Sequence, residues 1–103
     1  MNSHLSIPEA DLAAFCRANG IRRLSVFGSA VRDDFGPESD LDLLVEFAEE
    51  ARHSLLDLVR MEEELKGIFG RDIDLVERAG VEQSRNYLRR KAILGSAETI
   101  YAA

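Results

Sequence analysis

Asp40-Leu41-Asp42-Leu43-Leu44-Val45-Glu46-Phe47 is the stretch on which the fold turns. In an extended segment, alternation puts Leu41, Leu43, Val45 and Phe47 on one face and Asp40, Asp42, Leu44 and Glu46 on the other. The first set predicts a core face, and the second begins with two carboxylates. Asp72-Ile73-Asp74-Leu75-Val76 repeats the design, with Ile73 and Leu75 on one side and Asp72 and Asp74 on the other. Between these two segments Ser54 opens a helix, and Asp57, three residues on, favours its N-terminus. Leu55, Leu58, Val59, Met61, Leu65, Ile68 and Phe69 supply an apolar stripe, Glu62 to Glu64 face solvent, and Gly70 ends the helix. Strand, helical crossover and strand predict parallel pairing with a right-handed connection.

Upstream, Ile21 to Phe27 predicts a strand that stops at Gly28-Ser29. A helix precedes it, announced by Ser6-Ile7-Pro8-Glu9, with Ser6 as cap and Glu9 as box partner. Leu12, Phe15 and Cys16 share one face of that helix, and Asn19-Gly20 stops it. Ala30 to Asp34 could form a turn or two of helix before an expected loop at 35–39. Downstream, the chain from Val81 reads as helical, with a break near Gly95-Ser96. The expected architecture is one α/β domain over residues 1–103, a small mixed sheet with helices packed mainly on one face.

Composition narrows the function classes. A length of 103 residues permits one domain, and 46% hydrophobic with 31% charged residues suits a globular chain with a modest core. No apolar run approaches the ~18 residues of a membrane span. The first six residues lack the basic and apolar regions of a secretory signal, so a cytoplasmic setting is expected. Cys16 is the single cysteine, which excludes a disulfide framework and a multi-cysteine zinc site. The formal charge of -6 opposes a broad basic face for nucleic acid and suits divalent cations held by clustered carboxylates.

The chemistry-bearing residues are Gly28-Ser29 at a strand end, Asp40 and Asp42 on a second strand, and Asp74 on a third. Asp40 and Asp42, two apart on one strand, have Cα atoms ~6.5–7 Å apart. If the strands are neighbours, Asp74 joins them, and three crowded carboxylates repel one another unless a cation neutralises them. Oxygen-only ligation with open water positions suits Mg²⁺ together with a phosphate-bearing substrate. Glycine lets backbone approach a phosphate, while the Ser29 hydroxyl and Arg32 offer donors to it. Taken singly, an Asp-x-Asp is usually a solvated face and a Gly-Ser an ordinary turn. Five fixed residues at set spacing arise by chance only ~10⁻⁶ times per start point.

Other residues read more plainly. Cys16 is a small core residue, and His4 and His53 are surface positions without a partner at metal-ligand spacing. Asp72 shares a face with Asp74 and could join the acidic patch, although its place at the strand start makes solvent exposure easy, and Arg71 could neutralise a phosphate. Arg89-Arg90-Lys91 is a basic cluster, either a solvated helix face or a contact for RNA or an acidic partner. Tyr87, Leu88, Leu94, Ile100 and Tyr101 are more apolar surface than a small core needs, and part of it could dock a partner chain.

Phe27-Gly28-Ser29-Ala30-Val31-Arg32, Ser39-Asp40-Leu41-Asp42-Leu43-Leu44-Val45-Glu46-Phe47 and Asp72-Ile73-Asp74-Leu75-Val76 together resemble the minimal nucleotidyltransferases (MNT) of the DNA polymerase beta superfamily. The resemblance covers nearly the whole chain. Its compact length and the ending Tyr87-Leu88-Arg89-Arg90-Lys91-Ala92-Ile93-Leu94, on to Ile100-Tyr101, are similar to MNT antitoxins. That likeness implies transfer of AMP from ATP to a tyrosine of a HEPN-type ribonuclease toxin, with Mg²⁺ as cofactor. It implies Asp40, Asp42 and Asp74 as catalytic, metal-binding carboxylates, and Gly28, Ser29 and Arg32 as the nucleotide-side motif. One departure stands out: Asp33 follows Arg32 where the family usually has Gly. Two alternatives remain open at this point: a non-catalytic antitoxin that neutralises its partner by occlusion, and transfer to an RNA 3′ end or an aminoglycoside.

Overall fold

The computed structural model describes residues 7–28, 40–51 and 53–103. The helix α1, Glu9–Ala18, leads through Asn19 and Gly20 into strand β1, Ile21–Phe27. Strand β2, Leu41–Phe47, follows, then helix α2, Leu55–Phe69, and strand β3, Ile73–Glu77. Two short helices, α3 at Arg78–Glu82 and α4 at Tyr87–Ser96, precede strand β4, Glu98–Ala102. The expected Ser6 cap, the helical turn at 30–34 and the loop at 35–39 lie outside the described residues. Within them, Pro8 occupies the cap position of α1 without a side-chain hydrogen bond.

Local chemistry explains the boundaries of α2. The Ser54 side chain accepts from the Asp57 N–H at 3.2 Å, and Asp57 accepts from the Ser54 N–H at 2.9 Å. This closed box satisfies two helix-end donors at once. Gly70 ends the helix in the left-handed region, φ 69°, with its N–H on Lys66 O. The buried stripe runs through Leu58, Met61, Leu65 and Ile68. Leu55 and Val59, expected in that stripe, are 77% and 52% exposed. Val59 lies ~100° around the helix from Leu58, and the stripe stops one turn short of Leu55. Glu62, expected in solvent, is half-buried, and its carboxylate accepts a long bond, 3.5 Å, from the Leu75 N–H of β3.

The sheet order is β3-β2-β1-β4. The pairing of β2 with β3 is parallel, as the crossover predicts, while β1 pairs antiparallel with both β2 and β4. Strand β4 corrects the expectation of helix to the end of the chain. Thr99-Ile100-Tyr101 carries β-branched and aromatic residues that favour a strand, and the open edge of β1 supplies the partner. Ile100 and Tyr101 thereby pack against the main core instead of standing free.

Alternation along β2 is obeyed. Leu41, Leu43 and Val45 join Leu12, Phe15, Cys16, Met61 and Leu65 in the larger cluster beneath α1 and α2. The opposite face is also covered in part. Phe27 and Leu44 pack there with Val81 of α3 and Ile93 of α4. His53 proves to be a packing residue and not a solvated one: its Nε2 lies 2.8 Å from Asn19 O, and its ring lies 4.3 Å from that of Phe47.

Candidate active site

The acidic residues sit where three strand ends meet. In the parallel ladder Asp42 is the register partner of Asp74, and in the antiparallel ladder it is the partner of Phe27. Register partners on neighbouring strands point to the same side of a sheet and stand about 5 Å apart. Phe27, Leu44 and Val76 all belong to the smaller cluster, so Asp42 and Asp74 project on the α3/α4 side. Leu41 N–H donates to Asp72 O at 2.9 Å, which carries the parallel pairing to the residue just ahead of β3. Asp40 lies one step ahead of β2 and is exposed, as is Asp74, whereas Asp42 is half-buried.

Gly28 closes this corner. Its φ is +66°, a conformation that side chains resist, and a Cβ added there would run into Asp42 Oδ2. Glycine is therefore required twice, by backbone conformation and by the approach of the carboxylate. Ser29 and Arg32 lie outside the described residues.

Of the expected metal set, the structure pairs Asp42 with Asp74 in register. Among the described residues, no three His, Cys, Asp or Glu side chains gather closely enough to hold an ion by themselves. The donor set still fits Mg²⁺, a cation that meets protein through one or two carboxylates and completes its shell with water and substrate phosphates.

One feature of the site was not legible from sequence. A cavity of about 410 Å³ opens between β3, α3 and α4, lined in part by Val76, Glu77, Val81, Arg89, Arg90 and Ile93. The cavity runs on from Asp74 along the same strand, touching β3 at Leu75, Val76 and Glu77 and not at Asp74 itself. It depends on the corner between α3 and α4, which the sequence shows only as a continuous helical region. Arg90 is held there, its Nη1 donating to Ser84 O at 2.8 Å and its guanidinium 5.5 Å from the centre of the Tyr87 ring. No helix among the described residues is long and apolar enough to cross a membrane.

Residues 12–97 match the family model of the nucleotidyltransferase domain. The chain belongs to this nucleotidyltransferase family. A Methanocaldococcus jannaschii protein provisionally named a protein adenylyltransferase is 45% identical over 58 residues, 56% of this chain and 60% of that protein. The protein adenylyltransferase MntA of Thermococcus cleftensis is 40% identical over 63 residues, 61% of this chain and 62% of that one. The chain thus spans about six-tenths of the length of the curated relatives it matches. A solved structure provisionally described as a minimal nucleotidyltransferase is 38% identical with a TM-score of 0.65, covering 87% of this chain and 85% of that one. A toxin–antitoxin crystal structure with AMP-PNP shares the fold at a TM-score of 0.71 and 17% identity, covering 94% and 75% of the two chains.

Proposed function

We propose that this nucleotidyltransferase domain transfers AMP from ATP to a tyrosine hydroxyl of a HEPN-type ribonuclease toxin, and so acts as its antitoxin. The observation that carries the chemistry is the register pairing of Asp42 with Asp74 beside the Gly28 turn. The donor and acceptor are suggested by the relatives: two are named for protein adenylyltransferase activity, and a solved neighbour pairs an AMPylated HEPN toxin of Shewanella oneidensis with an MNT antitoxin.

The acceptor oxygen attacks the α-phosphorus in line with the departing pyrophosphate. One O–P bond forms as the α–β bridge breaks, giving tyrosyl-AMP and pyrophosphate. Asp42, in the centre of the sheet and half-buried, faces the phosphates that the Gly28 turn admits. Asp74, on the edge strand β3, faces the acceptor and takes its proton. Asp40, Asp42 and Asp74 would hold Mg²⁺, which when bound supplies the positive charge that offsets the phosphates and developing oxyanions. Gly28, Ser29 and Arg32 form the nucleotide side, glycine through backbone approach and Ser29 and Arg32 as donors.

The test is transfer of label from ATP in the presence of Mg²⁺ and a purified HEPN-type partner. The wild-type chain should label the partner on tyrosine, and Asp42→Asn should lower the rate at least ~100-fold. Equal labelling by Asp42→Asn would overturn the assignment. A variant that still protects cells without labelling would establish occlusion in its place.

A further inference from the structure

The cavity between β3, α3 and α4 is not explained by the nucleotide chemistry. The sheet order puts β3 at one edge, with Gly28 two strands away at the end of β1. The triphosphate side of the site is therefore toward β1, whereas the cavity meets the sheet on the edge strand β3, at Leu75, Val76 and Glu77, the residues that follow Asp74 along the strand. Its floor is apolar, made by Val76, Val81 and Ile93, and its rim carries Arg89 and Arg90 against a single acid, Glu77.

The charge at this rim runs against the rest of the molecule. The chain carries a formal charge of -6, yet residues 83–97 hold no Asp or Glu and include Arg85, Arg89, Arg90 and Lys91. Arg90 is already engaged by Ser84 O and Tyr87. Arg89 is different. Its backbone N–H is capped by Asn86 Oδ1 at 3.1 Å, which fixes the start of α4, while its exposed guanidinium has no ion-pair partner among the described residues. Tyr87 and Leu88, 57% and 76% exposed, stand on the same first turn of α4.

We propose that this cavity is the acceptor-docking subsite, and that it takes a polypeptide segment bearing an acidic side chain close to its aromatic acceptor residue. This subsite rests on the nucleotidyl-transfer reading and names what that site selects. The apolar floor receives the ring, Arg89 pairs with the acidic neighbour, and the hydroxyl is left toward Asp74. Arg90 is a positioning residue that holds the α3–α4 corner open. Glu77 discourages segments with more negative charge than the two guanidinium groups offset.

Methyl NMR titration of the whole chain tests the assignment, with acetyl-Glu-Tyr-Glu-amide, acetyl-Lys-Tyr-Lys-amide and Mg²⁺-ATP, each in turn, for the wild type and Arg89→Ala. The acidic peptide should shift the methyl signals of Val76, Val81 and Ile93. Its affinity should fall about fivefold in Arg89→Ala, and the lysine peptide should bind more weakly than the acidic one by at least about as much. Equal binding of the two peptides, unchanged binding by Arg89→Ala, or no shift at these methyls with any peptide would overturn it. Movement of the same methyls by Mg²⁺-ATP alone would assign the cavity to nucleotide instead. The titration needs no turnover, so a failure here is distinguishable from a failure of the labelling assay.

Discussion

A Cβ placed on Gly28 would run into Oδ2 of Asp42 and lie 3.3 Å from its Cγ. The glycine and the carboxylate thus share one small volume at the end of β1, and the backbone there is already at φ +66°. Gly28→Ala should lose about 1–2 kcal/mol from the left-handed backbone, and it should also displace the Asp42 carboxylate. Gly70→Ala is the control, because its φ is +69° with nothing within 4 Å of the added Cβ. Both variants should melt lower than wild type by similar amounts. Only Gly28→Ala should lose Mg²⁺-ATP-dependent thermal stabilisation, which a melting series with and without ligand measures.

Asp42 and Asp74 are direct neighbours in the parallel ladder. Like charges in such positions oppose folding by about 0.2–1 kcal/mol. Asp74→Asn should therefore raise the melting temperature of the metal-free protein by about 1–4 °C, at several degrees per kcal/mol for a domain of this size. With Mg²⁺ and ATP the order should reverse, wild type gaining stability and Asp74→Asn gaining little. A variant less stable than wild type without metal would show that repulsion between the two carboxylates is not the dominant effect.

These relationships were legible in unequal measure. The alternation from Leu41 to Phe47 and the Ser54–Asp57 pair reflect local rules, and both appear in the structure as the residues require. Two strands of the same design joined by a helix imply parallel pairing, but the pattern leaves open which residues stand opposite, and the register of Asp42 with Asp74 comes from the structure. Strand β4 is different. Five residues after a helix carry too little pattern to name a strand, and the deciding force is the unsatisfied edge of β1 some seventy residues earlier in the chain. Leu55 and Val59 fail for the opposite reason: the helical period is right, but the core does not reach the first turn of α2. Sequence marks Arg89-Arg90-Lys91 as a basic cluster, but only the corner between α3 and α4 turns Arg89 and Arg90 onto a cavity that meets β3 at Leu75 to Glu77.

Cys16 has no exposed surface, and burial pushes its thiol up to about 12, with Arg17 offsetting this only in part. At pH 8 only about one molecule in ten thousand would carry the thiolate that reacts. Alkylation of the folded protein at pH 8 should accordingly proceed no faster than global opening. Its rate should rise in step with denaturant through the unfolding transition. Rapid modification of the native chain, at a rate insensitive to denaturant, would show that the α1–sheet interface opens locally.

The capping box of α2 makes a pH-dependent contribution that favours the folded state at neutral pH. Hydrogen bonds from the Ser54 backbone and side chain, aided by Arg60, hold the Asp57 carboxyl below its ordinary value despite some opposing desolvation. A carboxylate depressed in the folded state stabilises fully above its unfolded pKa of about 3.9 and loses that contribution as pH falls through the folded value. Asp57→Asn should thus be less stable than wild type at pH 7, and the gap should close on acidification below about pH 4. Ser54→Ala removes the side-chain acceptor and should cost about 1 kcal/mol at pH 7. If the Asp57→Asn deficit were the same at pH 3 as at pH 7, hydrogen bonding to the ionised form would not be its source. Chemical denaturation of the three proteins across pH 3–7 measures both effects.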